Sequence, residues 1–146
     1  MLFHILTLFP EIVTAYTDLS ILGRAKAEGV FQVDLVPLRD FGQGSYHKVD
    51  DTMYGGGVGM LMKADVLEAA FLSLPPSTRE DGSGKISKYY FSPGGRKIDQ
   101  ATVEEIASKE EIVLLCGHYE GQDARFVKKY HFQPLSLGDF VLSGGE

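Results

Sequence analysis

Three glycine-bearing segments follow apolar stretches of the sequence and carry its best candidates for chemistry. They are YYFSPGGRK at 89–97, LLCGHYEGQD at 114–123 and LGDFVLSGGE at 137–146. Glycine has no side chain, so backbone amides and carbonyls at such positions can approach a ligand closely. In open α/β sheets, ligands bind where strands end in loops. Any one of these glycines fits a tight turn or a helix cap, but the three segments together favour a ligand site.

The titratable side chains within these segments give weaker signals than the glycines. Glu120 lies on a strand-exit loop, where a carboxylate could take a proton or meet a cationic ligand, although an exposed acid without a role fits equally well. Cys116 and His118 are the residue types of a nucleophile and its base, yet Cys116 ends an apolar run and we expect it to be a small buried hydrophobe. His4, inside another apolar run, is expected to be a hydrogen-bonded core or interface side chain.

Several common kinds of site have no counterpart in the sequence. No GxGxxG dinucleotide motif and no GxxxxGK[ST] phosphate loop occurs, and Ser143 in LSGG lacks the G-x-S-x-G elbow of hydrolases. The four histidines and the single cysteine are too scattered to indicate zinc, so no metal ligands are predicted. The net charge of −6 disfavours non-specific binding to duplex nucleic acid, which depends on phosphate neutralisation.

The segments that would position these residues alternate between strand and helix patterns. Strands are predicted at 2–9, 31–36, 86–91 and 111–116, and helices at 11–28 with a break near 18–20, 64–74, 100–108 and 123–129. Because the strands include runs that are apolar on both faces, they suit a mostly parallel sheet covered by helices, the α/β class. The other stretches are expected to be a long loop at 39–60, an exposed flexible connector at 75–85 and a weakly patterned segment at 132–146.

Length and composition fit one globular domain in a reducing compartment. The chain has 146 residues, 44% of them hydrophobic and 23% charged, enough to bury a core without disulfides or a structural metal. Its single cysteine cannot form an internal bridge, which makes the cytoplasm the expected location. The apolar run MLFHILTLFP has no basic residue ahead of it and reaches Pro10 too soon to span a membrane, so we expect a buried strand and neither a signal peptide nor a membrane span.

Five strings of this sequence, in the same order, resemble the bacterial tRNA (guanine-N1)-methyltransferases. They are LTLFPE at 6–11, VDDTMYGGGVGMLMK at 49–63, SPGGRKIDQ at 92–100, LLCGHYEGQDAR at 114–125 and LGDFVLSGGE at 137–146. Together they extend the resemblance over essentially the whole chain. Members of that family are knotted SPOUT methyltransferases that use S-adenosylmethionine to methylate N1 of guanosine 37, next to the anticodon of tRNA.

The resemblance implies that a bent S-adenosylmethionine lies in a deep trefoil knot built by the same three glycine-bearing segments. The residues that it assigns to the cofactor are Tyr90, Phe91, Ser92 and Pro93 in the first wall, Gly117, Tyr119, Glu120 and Gly121 in the second, and Leu137, Gly138, Phe140, Leu142, Gly144 and Gly145 in the third. Apolar walls with close backbone hydrogen bonds suit an adenine ring. The loop at 54–60, with Tyr54 and Gly59, resembles the family's loop that helps to hold the target guanosine, and Glu120 would lie near the reaction centre.

The resemblance also assigns the main catalytic groups to positions that this sequence does not contain. Loss of the guanine N1 proton and charge on O6 require a general base and a cationic stabiliser. In the family these are an aspartate and an arginine, with magnesium assisting, and both follow the part that matches residues 1–146. We therefore expect residues 1–146 to be the cofactor-binding domain of a homodimeric tRNA methyltransferase, truncated before its helical tRNA-binding domain and inactive alone. The alternatives are an S-adenosylmethionine-binding module without catalysis and a domain too incomplete to form the pocket.

Overall fold

The computed structural model describes residues 1–53, 55–79 and 85–146, and its centre is a five-stranded parallel sheet. The strands among these residues are β1 (Leu2–Thr7), β2 (Gln32–Pro37), β3 (Asp50–Thr52), β4 (Met60–Met62), β5 (Ile86–Lys97), β6 (Glu111–Leu115) and β7 (Gln133–Ser136). The sheet order is β2-β1-β6-β5-β7 with every neighbouring pair parallel, whereas β3 and β4 pair antiparallel outside it. The predicted α/β fold with a mostly parallel sheet is therefore confirmed.

Helices pack on both faces of this sheet. The helices of the described residues are α1 (Pro10–Thr17), α2 (Ser20–Ala27), α3 (Ala64–Leu72), α4 (Pro76–Arg79), α5 (Gln100–Ala107) and α6 (Ala124–Lys129), with a 3-10 helix at Leu38–Phe41. On one face, Phe71 of α3 and Phe126 of α6 join Val113 of β6 in the largest core cluster. On the other, Val13 of α1 and Ile106 of α5 contact two smaller clusters. Burial of a strand on both faces explains why β6 is almost wholly apolar.

The helical pattern predicted at 11–28 divides at the predicted break. α1 ends at Thr17 and α2 begins at Ser20, while Leu19 between them is extended, with φ −109° and ψ 155°. Gly29 follows α2 with φ +74°, a left-handed conformation that ends the helix at little cost because glycine has no Cβ.

His4 is buried in β1 and hydrogen-bonded on both sides, as predicted. Its Nδ1 lies 2.8 Å from Asp34 Oδ2 on β2, and its Nε2 lies 3.3 Å from Glu111 Oε2 on β6. Glu111 Oε2 also accepts a hydrogen bond of 2.7 Å from Thr78 Oγ1. These bonds satisfy a polar side chain that is only 2% exposed, so His4 is a structural residue of the sheet.

The first glycine-bearing segment lies within a strand, which corrects the prediction that the strand stops at Phe91. β5 continues to Lys97, and its register on β7 shifts between Phe91 and Arg96, so the intervening residues form a bulge. A Cβ on Gly95 would lie 2.6 Å from the Pro134 carbonyl carbon, a spacing that only glycine permits. A bulge accommodates both proline and glycine within a strand.

Short elements also occupy three stretches predicted to be irregular. The 39–60 loop contains β3 and the start of β4, and the connector at 75–85 begins with α4, while residues 80–84 lie outside the described part of the chain. The weakly patterned segment at 132–146 contains β7, which has only four residues and includes Pro134. Such short or proline-containing elements depend on their neighbours, and β7 tolerates proline because it lies at the sheet edge.

Candidate functional site

A cavity of about 330 Å³ lies where the three glycine-bearing segments meet, beyond the carboxyl ends of parallel strands. Its lining residues are Phe91, Ser92, Pro93, Gly117, His118, Tyr119, Glu120, Gly121, Gln122, Leu135, Leu137, Gly138, Phe140, Val141, Leu142, Ser143, Gly144 and Gly145. The volume is in the range of small-molecule sites, roughly 300–1,000 Å³. The structure thus brings together every residue predicted to contact the cofactor except Tyr90.

Tyr90 lies on the opposite face of β5 from the cavity. It packs against the largest core cluster, whereas its neighbours Tyr89 and Phe91 belong to a cluster on the other face. Successive side chains of a strand point to opposite faces, so Tyr90 and Phe91 cannot both face the same cavity side by side.

The C-terminal segment, residues 137–146, runs back from the edge strand β7 toward the middle of the sheet. It begins at β7 on one side and reaches β6, where Gly144 forms an antiparallel bridge with His118. Gly145 lies so close to β6 that a Cβ there would be 2.9 Å from Cys116 Cα. From there Glu146 accepts a hydrogen bond of 2.6 Å from the hydroxyl of Thr7, at the end of β1. Gly145 is therefore required by the close approach of two backbones, and Gly144 by the close approach of the His118 ring.

The β3–β4 hairpin packs against the loop at 117–123. The Met62 amide donates to the Gly121 carbonyl at 2.9 Å, and the Glu120 amide donates to the Met60 carbonyl at 3.0 Å. Gly59 lies directly against the Glu120 side chain, since a Cβ there would be 2.4 Å from Glu120 Cγ. The hairpin therefore brings one predicted substrate-side residue, Gly59, against Glu120 of the cavity wall, whereas Tyr54 lies outside the described residues.

Tyr119 is a partly exposed aromatic side chain on the cavity wall, and its backbone is left-handed, with φ +59°. Partial burial raises the pKa of its phenol, the Asp50 carboxylate raises it further, and the Arg39 guanidinium opposes the change. The phenol is consequently neutral near pH 7, where its hydroxyl can donate a hydrogen bond.

Cys116 is a buried thiol at the end of β6, as predicted. Burial, followed by the nearby charge of Glu146, raises its pKa to about 12. A thiolate is the reactive form of cysteine, so this side chain is a poor nucleophile and acts as a small hydrophobe.

Five residues of the cavity wall were not assigned to the cofactor from the sequence: His118, Gln122, Leu135, Val141 and Ser143. Gln122 reaches the cavity wall because the loop folds back on itself: a Cβ on Gly117 would lie 2.7 Å from Gln122 Oε1. Membership of a glycine-bearing segment is the signal that could have identified His118, Gln122, Val141 and Ser143, whereas Leu135 lies outside all three segments.

The described residues contain no group of three or more histidine, cysteine, aspartate or glutamate side chains arranged to hold a metal ion. Within the same residues, none of the helices has both the length and the apolar character needed to cross a bilayer.

Glycine-rich loops around a cavity at the carboxyl edge of a parallel sheet are typical of α/β proteins, in which ligands bind at this edge. The sequence matches the family model of the tRNA (guanine-1)-methyltransferase TrmD over residues 1–146. The chain belongs to this family, and its five-stranded sheet with flanking helices is consistent with a SPOUT-type fold.

Relatives with the name tRNA (guanine-N(1)-)-methyltransferase align with nearly all of the chain. The protein of Deinococcus deserti is 44% identical over 99% of this chain and 50% of its own length. Those of Photobacterium profundum and Acaryochloris marina are 42% and 47% identical over 97% and 100% of this chain, and 55% and 60% of their own lengths. The chain therefore spans about half to three fifths of the length of these curated relatives.

Proposed function

We propose that the cavity binds S-adenosylmethionine and that residues 1–146 are the cofactor-binding domain of an enzyme that methylates N1 of guanosine 37 in tRNA. One observation carries this proposal: the three segments that family resemblance assigns to the cofactor converge on a single cavity of about 330 Å³. Membership of the tRNA (guanine-1)-methyltransferase family supports the choice of cofactor and substrate.

The chemistry of the cavity wall fits an adenosine-containing ligand. Leu137, Phe140 and Leu142 line the cavity and are 54%, 53% and 58% exposed, although they are large apolar side chains. An apolar ring between them would remove that surface from water, at about 25 cal/mol per Å². Gly117 and Gly145 let the backbone approach the ligand, where amides and carbonyls can recognise its polar edge.

The bound cofactor would supply a sulfonium methyl group, which guanine N1 would take up as the S–C bond breaks and S-adenosylhomocysteine leaves. This chain's residues would contribute by orienting the reactants and excluding water, which supplies much of the rate in such a displacement. Glu120 connects the cofactor wall with the hairpin residue Gly59, so it lies between the two proposed binding regions. We assign the roles of general base and cationic stabiliser to no residue of 1–146.

A homodimer that methylates tRNA in the cytoplasm is the further part of this proposal. The lone, buried Cys116 suits a reducing compartment. Because resemblance assigns the base and the arginine to the part of the family sequence after residue 146, we expect residues 1–146 to bind cofactor without turnover. A binding module without any catalytic role is the second candidate.

Calorimetric titration and a methyl-transfer assay test the proposal. We expect S-adenosylmethionine to release heat with one site per chain, and a tRNA whose position 37 is guanosine to accept methyl groups from the enzyme that contains the catalytic part. A tRNA with adenosine at position 37 is the matched control. No binding heat at millimolar cofactor would contradict the cofactor site, and turnover by residues 1–146 alone would contradict the inactive-domain proposal.

A further inference from the structure

A continuous hydrogen-bonded chain runs behind the cavity from β1 to the C-terminal segment. The Phe9 amide donates to Thr7 Oγ1 at 3.0 Å, the Thr7 hydroxyl donates to Glu146 Oε1 at 2.6 Å, and His118 Nε2 lies 2.7 Å from Glu146 Oε2. Thr7 is 0% exposed, and the side chains of His118 and Glu146 are 18% and 5% exposed. Both carboxylate oxygens of Glu146 thus have a donor in a site largely closed to water.

These hydrogen bonds join three parts of the fold that are distant in sequence. Thr7 ends β1, His118 follows β6 on the cavity wall, and Glu146 belongs to the C-terminal segment that forms the third wall. The His118 ring also packs on Phe9, with 5.1 Å between ring centroids, and a Cβ on Gly144 would lie 2.5 Å from that ring. Burying a carboxylate without hydrogen-bond donors costs free energy, so the buried position of the Glu146 side chain depends on both of its donors.

We propose that Thr7 and Glu146 are positioning residues for the cofactor site. Their hydrogen bonds hold residues 137–146 against the sheet and fix the imidazole of His118 in the cavity wall. The inference rests on the proposed function for the identity of the ligand, whereas the hydrogen-bonded chain itself is independent of it.

The carboxylate of Glu146 also determines which imidazole nitrogen of His118 carries a proton. We assign the donor role to Nε2 from this contact, because a carboxylate oxygen accepts hydrogen bonds. In the neutral imidazole, Nδ1 is then left as an acceptor. The cavity wall therefore presents one tautomer of His118 to a ligand, and the polar character of that position depends on Glu146.

Four substitutions separate this role from general effects on the fold. Thr7→Val keeps the side-chain shape and removes the hydroxyl, while Thr7→Ser restores it. Glu146→Gln removes the charge, and Asp139→Asn removes the same charge from the same segment, at an ion pair of 3.3 Å with Lys97 whose aspartate side chain is 90% exposed. Exposed pairs contribute little, so Asp139→Asn is the matched control.

Hydrogen exchange of the cofactor-free protein is the first measurement. In Thr7→Val and Glu146→Gln we expect amides of 137–146 to exchange about tenfold faster or more, because the first removes a hydrogen bond to Glu146 and the second removes the charge that strengthens both bonds. Amides of Ile112–Leu115 in β6 should exchange as in the unsubstituted protein. In Thr7→Ser and Asp139→Asn, the exchange rates of both regions should stay within about twofold of those in the unsubstituted protein.

Nitrogen NMR and calorimetry are the second and third measurements. The His118 imidazole should show a protonated Nε2 in the unsubstituted protein and a mixture of tautomers in Glu146→Gln, a change that a purely structural role would not produce. The Kd for S-adenosylmethionine should rise about tenfold in Thr7→Val and Glu146→Gln and stay within about twofold in Thr7→Ser and Asp139→Asn.

The outcomes distinguish this inference from the proposed function. If Thr7→Val and Glu146→Gln match Asp139→Asn in exchange, His118 tautomer and Kd, the positioning role is wrong. If the unsubstituted protein does not bind S-adenosylmethionine, the proposed function fails, while exchange and NMR still decide whether Glu146 holds His118 and the segment. Uniformly faster exchange throughout Glu146→Gln, including β6, would also overturn the positioning role in favour of general stability.

Discussion

Gly59 and Glu120 are in direct contact: a Cβ added to Gly59 would lie 2.4 Å from Glu120 Cγ. Gly59 precedes β4 in the hairpin predicted to face the substrate, and Glu120 lies on the strand-exit loop that lines the cavity. The backbone of Gly59 has φ +116°, a conformation that side chains rarely adopt. The two proposed binding regions are therefore coupled through a position that requires glycine.

Gly59→Ala should impair methyl transfer more than cofactor binding. The new methyl group displaces the Glu120 side chain and strains the backbone, and a misplacement of about 1 Å near a reaction centre costs up to about a hundredfold in rate. We expect kcat/KM for tRNA to fall by tenfold or more, with the Kd for S-adenosylmethionine changed by less than about threefold. Steady-state kinetics and calorimetry measure the two quantities.

Gly56→Ala isolates the contribution of backbone strain to that result. Gly56 also has a positive φ, +78°, but a Cβ there meets no atom of the described residues within 4 Å. A smaller loss in Gly56→Ala than in Gly59→Ala supports the contact with Glu120. Equal losses would mean that strain in the hairpin explains the whole effect.

Valine at Gly145 should abolish measurable cofactor binding. A Cβ at Gly145 would lie 2.9 Å from Cys116 Cα and 3.0 Å from the Gly117 nitrogen, and backbone atoms cannot move aside as a flexible side chain can. Gly94→Val is the control, because a Cβ there would meet only Ser92 Oγ, at 3.9 Å. In calorimetry with S-adenosylmethionine, Gly94→Val should release binding heat and Gly145→Val should not. Binding by Gly145→Val would contradict the close approach of the backbones at Gly145 and Cys116.

Valine at Gly117 or Gly121 should also weaken the cofactor site, for two different reasons. At Gly117 the side chain would compete for space with Gln122 Oε1, which is 2.7 Å from the Cβ position. At Gly121 the space is open, but φ is +127°, so the cost is backbone strain. Soluble protein with a raised Kd is expected for both, and unchanged affinity would count against the cavity as the binding site.

The thiol of Cys116 should be unreactive in the native protein. With its pKa raised to about 12, the thiolate fraction is negligible between pH 7 and 9, and the side chain is buried. Ellman's reagent at pH 8 should therefore label the protein only after unfolding in guanidinium chloride. Rapid labelling under native conditions would contradict both the burial and the raised pKa.

Asp99 should give α5 a pH-dependent contribution to stability. Its carboxylate caps the helix, accepting hydrogen bonds of 2.8 Å from the Thr102 amide and hydroxyl. The hydrogen bond from the Thr102 amide is the largest cause that lowers its pKa below the usual 3.8. The stabilisation is therefore present above about pH 4 and is lost as the pH falls through the lowered value.

Two substitutions at Asp99 separate the cap from the charge. Asp99→Ala should lower Tm at pH 7, because the cap is lost, and reduce the further fall of Tm on acidification. Asp99→Asn keeps a side-chain oxygen that can cap the helix, so it should retain most of the Tm at pH 7 while losing the same part of the acid sensitivity. Thermal unfolding between pH 2 and 7 measures both, and equal acid sensitivity in all three proteins would refute the assignment.

The fold class and most elements could be predicted because their patterns are local. The alternation and apolar runs of β1, β2 and β6 and the helical stripe of α3 depend on neighbouring residues, and burial followed those patterns. β7 and the second half of β5 could not be predicted, since pairing across a bulge depends on the approach of Gly95 to Pro134. Proline and glycine, judged locally, indicate a turn.

By itself the sequence identified three glycine-bearing segments as candidates for a ligand site and indicated that Cys116 and His4 are core residues. Tertiary structure decided which side chains share the cavity: Tyr90 faces the other side of β5, and His118 joins the wall because Glu146 and Thr7 hold it there. The physical reason is the sequence distance over which the interactions act. The period of a strand depends on adjacent residues, whereas hydrogen bonds that join β1, the loop after β6 and the C-terminal segment form only once the sheet has assembled.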